Sequence, residues 1–210
     1  MSILAINHLA FITRDLVMTI RFYRDLLGME LNAGIGHDGY RHYFFRFGEN
    51  QVAFFGYEGA RPMARKFPGV KTTEPLGFDH VSFTVGTCRE LFEYKDKLEA
   101  AGLSVHGVVD HGTIWSIYFY DPNEIPLEIS WACMDVTRPP AMSEDTPMAI
   151  VAEGAEPQPG FWPEVTRRTP PEEWKAKPGN GHAMREAFLA EGRGRITQEF
   201  TDILARTRAP

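Results

Sequence analysis

Residues 77–85 read GFDHVSFTV, a short apolar strand that carries one histidine, His80, directly after an aspartate. Residues 6–12, INHLAFI, repeat this pattern, with His8 directly after an asparagine. In both stretches the histidine alternates with bulky apolar residues, so it should lie on the strand face opposite to them. Two such strands, 72 residues apart, indicate a duplicated module whose histidines converge on one site.

Whole modules repeat, and not only the histidine strands. Each histidine strand is followed by an amphipathic helix that a glycine ends, Gly28 in the first module and Gly102 in the second, 74 residues later. Alternating apolar patterns then predict three more strands in each module. The turns before the last strands, at residues 48–50 and 122–124, are also 74 residues apart. The sequence therefore predicts an α+β fold of two modules, each with a strand, a helix and three strands.

The domain boundaries are predicted where these patterns stop. One domain covers residues 1–134, with module one at about 4–58, a polar linker at about 59–75 and module two at about 76–132. Residues 135–210 form a proline-rich extension in which alternation disappears, with helices expected at 182–189 and 196–206. The extension could cover a sheet edge, clasp a dimer or close over the site as a lid.

Composition and charge exclude several classes of function. The chain has 210 residues, of which 43% are hydrophobic. Its net charge is −6 and its basic residues are scattered, which argues against a nucleic-acid or anionic-membrane partner. No stretch has the length and apolarity of a membrane span, and the N-terminal residues lack the pattern of a signal peptide. The two cysteines are far apart, so we expect a protein of the reducing cytoplasm.

Strand alternation predicts a metal site. In the second module His80 shares a face with Ser82, whereas the apolar neighbours face the helix. Glu128 alternates with apolar residues in the last strand, where a buried carboxylate needs a cation. If the modules pack with matching concave faces, His8, His80 and Glu128 meet there. Two imidazoles and one carboxylate suit iron(II), and also Mn, Zn, Ni or Co, and leave open positions for substrate or O2.

Each of these residues also has a structural explanation. A lone histidine beside an apolar strand is often a core residue whose hydrogen bonds are satisfied, and a glutamate in a strand is often an edge charge. For any single residue the structural and the functional explanations are about equal. Three residues that agree with an independent repeat favour the metal site.

The sequence resembles the vicinal oxygen chelate superfamily over roughly residues 4–132. The similarity rests on four short stretches: NHLAF at 7–11, FDHVSF at 78–83, SIYFYDPN at 116–123 and LEI at 127–129. The superfamily includes glyoxalase I, type I extradiol ring-cleaving dioxygenases, fosfomycin-inactivating thiol transferases and bleomycin-binding proteins. The resemblance implies paired βαβββ modules that form a U-shaped mixed sheet around a divalent metal. His8 and His80 match the ligands on the first strand of each module, and Glu128 matches the ligand on the final strand.

Differences within the superfamily narrow the choice of reaction. Glyoxalase I has a fourth ligand on the last strand of its first module, where the 74-residue offset lands on Phe54, so the resemblance implies an open three-ligand site. Extradiol dioxygenases carry a tyrosine ten residues before the ligand glutamate and a histidine on the preceding loop, which Tyr118 and His111 match. They also place a catalytic histidine near residues 51–55, which contain none here. His42, on the neighbouring strand, is the candidate replacement.

The leading hypothesis is an extradiol-type dioxygenase that uses iron(II) and O2 on a catechol-like aromatic substrate. Tyr118 would hydrogen-bond a substrate oxygen, and His111 and His42 would move protons. Tyr118 could instead fill the cup, His111 could be a solvated loop residue, and His42 could have a surface role. Six aromatic residues are expected to line the cup: Phe45, Phe47, Phe54, Trp115, Tyr118 and Tyr120.

Two other classes of function stay open. One is a metal-dependent isomerase, lyase or thiol transferase, glyoxalase-like or fosfomycin-resistance-like, with Mn, Zn or Ni. The other is a non-catalytic protein that binds a small molecule. In each case we expect a homodimer.

Overall fold

Alternating apolar residues form two four-stranded sheets, one in each predicted module. In module one the sheet has the order β1-β4-β3-β2 and contains β1 (Leu9–Thr13), β2 (Glu30–His37), β3 (Tyr40–Phe47) and β4 (Asn50–Gly56). In module two the order is β5-β8-β7-β6, from β5 (Val81–Val85), β6 (His106–Asp110), β7 (Ile114–Tyr120) and β8 (Pro126–Ala132). The first and last strands of each module pair in parallel and the other pairs are antiparallel. The predicted α+β fold of paired βαβββ modules is confirmed.

The structure is a computed structural model. It describes residues 6–37, 39–73, 78–137, 148–153, 157, 159–160, 162–179 and 181–207. The chain divides into two compact units, Met1–Pro139 and Pro140–Pro210. Both modules belong to the first unit.

The helices of the two modules differ in form. In module two, α2 (Cys88–Ala100) begins with a capping box, in which the Thr87 hydroxyl accepts from the backbone N–H of Glu90 and the Glu90 carboxylate accepts from the backbone N–H of Thr87. In module one, α1 (Leu16–Ile20) continues as a π-helical segment, Arg21–Leu26. The apolar stripe predicts one continuous α-helix, because periodicity alone does not separate α- from π-helical turns.

One apolar core joins the modules. The ring centroids of Phe22 and Phe119 are 6.4 Å apart, and those of Phe47 and Phe83 are 5.1 Å apart. The first pair links the helix of module one to β7, and the second links β3 to β5, both on the sheet faces that pack on the helices. We call these the inner faces. Because the modules pack through their inner faces, the opposite faces point away from the shared core.

The opposite faces, here called the outer faces, carry the predicted site residues. By strand register, the outer faces include Ala10, Ile12, His42, Phe44, Ala53 and Phe55 in module one, and Ser82, Thr84, Ser116, Tyr118, Glu128 and Ser130 in module two. His8 and His80 directly precede β1 and β5 with the same parity. Each histidine therefore lies on the face opposite to its apolar neighbours, as the alternating pattern predicts.

The predicted aromatic cup is largely wrong. Phe45, Phe54 and Phe47 belong to the core cluster or pack against it, as does Trp115. All four have the parity of the inner faces, because neighbouring side chains in a strand point to opposite sides. Of the six residues, only Tyr118 and Tyr120 have the parity of an outer face.

A buried polar network joins the modules at the turn between β7 and β8. The Asp121 carboxylate accepts hydrogen bonds from the backbone N–H groups of Asn123 at 2.7 Å and Ile125 at 2.9 Å, and from the Tyr23 hydroxyl at 3.2 Å. The Asn123 amide donates to Asp121 at 3.0 Å and to the Thr19 hydroxyl at 3.4 Å. Burial raises the pKa of Asp121, although these hydrogen bonds oppose the shift.

The described part of the second unit contains two α-helices, α3 (His182–Ala190) and α4 (Gln198–Thr207), and two 3₁₀ segments, Ala149–Glu153 and Pro171–Glu173. The Arg185 guanidinium lies over the Phe200 ring, 4.9 Å from its centroid, and so links α3 to α4. The two helices predicted in the extension are confirmed, with small shifts at their ends. In the described part of the chain, no helix is long and apolar enough to cross a membrane.

Candidate metal centre

Two of the three predicted ligands meet on the outer face of module two. Parallel pairing of β5 with β8 puts Glu128 opposite Ser82, two residues after His80. The Nε2 atom of His80 is 3.0 Å from Oε2 of Glu128. The Glu128 side chain is only 5% exposed, whereas that of His80 is 30% exposed. A buried carboxylate thus has an imidazole as its neighbour.

The other ring nitrogen of His80 is held by Asp79. Its Nδ1 atom is 2.6 Å from Oδ1 of Asp79. The Lys66 ammonium, and then His80 itself, hold the pKa of Asp79 well below its usual range. An ionised carboxylate only accepts hydrogen bonds, so Nδ1 of His80 must carry a proton.

The contact between His80 and Glu128 fits a bound cation. In the neutral form of the ring, a proton on Nδ1 leaves the lone pair of Nε2 facing the Glu128 carboxylate, and both atoms are then acceptors. Two acceptors 3.0 Å apart are stable only if a proton or a cation lies between or beside them. One imidazole nitrogen and one carboxylate oxygen are also ordinary ligands of divalent transition metals.

His8 lies apart from this pair within one chain. Its Nδ1 atom is 2.8 Å from the side-chain oxygen of Asn7. Its ring packs edge-on against Phe44 on the outer face of module one, with 5.4 Å between ring centroids. Among the described residues, no group of three or more His, Cys, Asp or Glu side chains could hold a metal. His8, His80 and Glu128 therefore do not form such a group within one chain. The assignment of these three residues as ligands stays a prediction.

Tyr118 and His111 adjoin the pair. Tyr118 is the direct cross-strand neighbour of Glu128, and its hydroxyl donates to Oε1 at 3.4 Å. The Nε2 atom of His111 is 2.7 Å from the same hydroxyl. Burial, and then the negative charge of Glu128, raise the pKa of Tyr118. The phenol therefore keeps its proton near neutral pH and can act as a hydrogen-bond donor.

His42, the third predicted catalytic residue, lies on the outer face of module one with His8. It is 5% exposed, and its ring stacks on Phe55 with 3.6 Å between centroids. Burial, and then the proximity of His8, lower the pKa of His42, so the ring is neutral at pH 7. Its buried Nε2 atom has no hydrogen-bond partner among the residues that the structure describes.

Strand register corrects one sequence-based alignment. Ala10 pairs with Ala53 in module one, and Ser82 pairs with Glu128 in module two. The counterpart of Glu128 is therefore Ala53, one residue from the predicted Phe54. The turn between β7 and β8 is one residue longer than the turn between β3 and β4, which shifts the alignment. Alanine provides no ligand either, so module one has no carboxylate at this position.

Asp79 and Lys66 were not among the predicted site residues. The signal for Asp79 was present, because an Asn or Asp directly precedes each histidine. No sequence pattern indicated Lys66, which lies in the linker and reaches Asp79 only through the tertiary structure.

Comparison with known proteins identifies the family. The family model described as Glyoxalase/Bleomycin resistance protein/Dioxygenase superfamily matches residues 5–129. The chain belongs to this superfamily. Membership supports a metal-dependent vicinal oxygen chelate protein, in a superfamily that contains many enzymes. No curated protein sequence matches the chain.

Several solved structures share the fold. A glyoxylase/bleomycin resistance protein/dioxygenase domain from Frankia sp. EAN1pec has 21% identity and a TM-score of 0.52, covering 62% of this chain and 99% of its own. The fosfomycin resistance protein FosX from Listeria monocytogenes has 20% identity and a TM-score of 0.50, covering 63% and 97%. The same protein in complex with Mn(II) and sulfate has 20% identity and a TM-score of 0.49, covering 63% and 96%. At these identities the similarity establishes the fold alone.

Proposed function

We propose that this protein is a metal-dependent enzyme that cleaves a catechol-like ring with O2 by extradiol chemistry. One observation carries the proposal. His111, Tyr118, Glu128 and His80 form a continuous series of contacts, with a buried carboxylate at its centre. The series combines two metal-ligating groups with a phenol and an imidazole suited to proton transfer.

His80 and Glu128 would hold the metal, with His8 of a second copy as the third ligand. The Asn7 amide oxygen accepts from Nδ1 of His8, which leaves the lone pair of Nε2 free on an outer face. Among the described residues the three do not form a metal-holding group within one chain, so the third ligand would come from a second copy. A dimer that joins the outer face of module one to that of module two would complete it twice by symmetry.

The bound metal, ferrous iron in this reaction, would supply the Lewis-acid and redox chemistry. Both atoms of O2 enter the ring-opened product, so one O2 is consumed per substrate and no external reductant is needed. Tyr118 keeps its proton and would donate a hydrogen bond to a substrate oxygen. His111 touches the Tyr118 hydroxyl and is exposed, so it would exchange that proton with solvent. His42 is neutral and would reach the site with His8, as a base.

A second candidate is a non-oxidative reaction at the same metal, such as isomerisation or thiol transfer. The described strand β4 (Asn50–Gly56) contains no histidine, where ring-cleaving relatives are expected to carry a catalytic one. Acid–base chemistry by Tyr118 and His111 alone would suffice for a substrate that is polarised by Mn, Zn or Ni.

Oxygen consumption separates the two candidates. The full chain is purified under argon, loaded with ferrous iron and mixed with catechols, gentisates and dicarbonyl compounds. The dioxygenase should consume one O2 per substrate and lose activity when Mn, Zn or Ni replaces iron. Product formation without O2 uptake, with any of these metals, would favour the second candidate.

Tyr118→Phe tests the proposed acid–base role directly. It should reduce kcat by roughly 100-fold, as is typical for loss of a proton-transfer group, while metal content stays unchanged. Tyr43→Phe removes a hydroxyl from β3, on the inner face of module one, and serves as the control. Equal activity of the two variants would exclude a role for the Tyr118 hydroxyl.

Complementation tests whether two copies share the metal site. His8→Ala and Glu128→Gln should each lose bound metal, whereas His182→Ala, in α3, should retain it. Mixing the first two variants under conditions of subunit exchange should restore about one quarter of wild-type metal, because half of the dimers then contain one intact site. A mixture that binds no metal, although each variant is folded, would rule out the shared site.

A further inference from the structure

We propose that the segment between the modules, residues 63–69, here called the strap, positions the His80 imidazole through Asp79. Lys66 and Asp79 are then positioning residues, and metal affinity in module two depends on the linker as well as on the ligands. The inference rests on the proposed function only in taking His80 as a metal ligand.

The strap is attached to module two at several points. The backbone N–H of Met63 donates to the carbonyl of Asn123 at 3.0 Å, and the Tyr120 hydroxyl donates to the carbonyl of Lys66 at 2.7 Å. The Phe67 ring lies beside Tyr118, with 5.5 Å between centroids. These contacts place the strap next to the candidate metal centre and fix where its side chains reach.

Two donors of the strap hold the Asp79 carboxylate. The Lys66 ammonium forms an ion pair with Oδ2, and the Lys66 side chain is only 13% exposed. The backbone N–H of Gly69 donates to Oδ1 at 3.0 Å. The same Oδ1 atom accepts from Nδ1 of His80 at 2.6 Å. With both carboxylate oxygens fixed by the strap, the orientation of the imidazole plane is also fixed.

Module one shows what the strap adds. There the residue before the histidine is Asn7, whose neutral amide oxygen is 2.8 Å from Nδ1 of His8. A carboxylate accepts a stronger hydrogen bond than an amide does, and its charge makes Nε2 a better donor of electrons to a metal. Loss of such an outer contact typically weakens metal binding by about 10–100-fold.

Metal titration of the full chain tests the inference, with Co(II) as the probe and isothermal calorimetry under argon as the measurement. Lys66→Met keeps the apolar stem but removes the charge, and Asp79→Asn reproduces the amide of module one. Each should weaken Co(II) binding by about 10–100-fold. Lys66→Arg should restore binding to within about threefold of the wild type, because it returns the cation.

Arg65→Met is the matched control. Arg65 lies in the same strap and pairs with Glu124 at 2.6 Å, so its removal perturbs the strap without touching Asp79. Its Co(II) affinity should match that of the wild type. If Arg65→Met and Lys66→Met weaken binding equally, the strap acts only as a general structural support and the inference is wrong.

The tautomer of His80 gives a second readout that needs no metal. Long-range proton–nitrogen spectra of the metal-free protein should show Nδ1 protonated in the wild type. They should show a larger fraction of the Nε2-protonated tautomer in Lys66→Met and Asp79→Asn, because an untethered carboxylate or a neutral amide holds the Nδ1 proton less firmly. Unchanged tautomers in both variants would overturn the inference. A wild type that binds no Co(II) would instead contradict the proposed function, and the tautomers would still decide the role of the strap.

Discussion

The two modules have the same fold but carry different chemistry on their outer faces. In module one, Phe44 lies opposite Ala53, and His8 faces a neutral amide. At the corresponding positions in module two, Tyr118 lies opposite Glu128, and His80 faces carboxylates on both sides. The strands therefore retain the position of the histidine, whereas the side chains across from it have diverged.

This difference indicates a division of roles between the modules. Module two holds a buried charge, a phenol and a second imidazole, which are the groups that a metal and a proton transfer need. The outer face of module one carries the exposed His8 beside Phe44 and the buried His42, which fits the proposed contact with another copy of the chain. The inner faces do not take part, because both are used to build the shared core.

The largest expected effect tests the distinction between inner and outer faces. Phe54 is fully buried on the inner face of β4, and Phe55, the next residue, lies on the outer face. Phe54→Ala should lower the free energy of unfolding by about 3–5 kcal/mol, because it leaves a cavity in the core. Urea denaturation followed by circular dichroism measures this quantity.

Phe55→Ala is the matched control in the same strand. It removes the same ring from the outer face and should cost less than half as much as Phe54→Ala. Equal losses in the two variants would show that the outer face of module one packs like a core, and the comparison of faces would fail.

A smaller effect is expected at the network that joins the modules. Asp121→Asn should lower the free energy of unfolding at pH 7 by about 1–3 kcal/mol, because an amide places N–H groups against buried donors. The raised pKa of Asp121 also predicts a pH dependence. Its folded pKa lies above the unfolded value of about 3.9, so wild-type stability should fall as pH rises through this interval.

The Asn variant cannot titrate at this position, so it should lack that fall. Denaturation series from pH 3 upward should therefore show the stability gap between wild type and variant narrowing as pH increases. A gap that widens with pH would mean that the Asp121 carboxylate is stabilised in its charged form, contrary to its burial.

The smallest effect compares the helices. Thr87→Ala removes the capping box of α2 and should cost about 1 kcal/mol, whereas Thr87→Ser keeps the hydroxyl and should change stability little. Thermal unfolding of the two variants measures the difference. Equal melting temperatures for both would show that packing of α2, and not its cap, fixes where the helix begins.

The sequence was most informative where the structural signal is local. The parity of His80 and Glu128 follows from the period of two along a strand, and the structure places both on the outer face as that period requires. The pairing of Tyr118 with Glu128 explains their ten-residue spacing, since the two are cross-strand neighbours. By contrast, the aromatic cup was wrong, because a count of aromatic residues ignores which face each occupies.

A difference of one residue in turn length limited how accurately the two modules could be aligned from the sequence. One additional residue between β7 and β8 moved the counterpart of Glu128 from Phe54 to Ala53. A constant offset along the sequence cannot reveal such a shift, because the turn lies outside the alternating pattern. The hydrogen bonds between the strands reveal it directly.

By itself, the sequence determined the duplicated fold, the family and the faces that carry the histidines, because strand and helix periods are encoded by neighbouring residues. Only the tertiary structure decided that the modules share one core, that the described residues of one chain form no three-ligand metal group, and that Lys66 reaches Asp79. These outcomes depend on contacts between distant residues, such as that of Tyr23 with Asp121. No local pattern specifies such contacts, since they form only when the inner faces bury their apolar surface together.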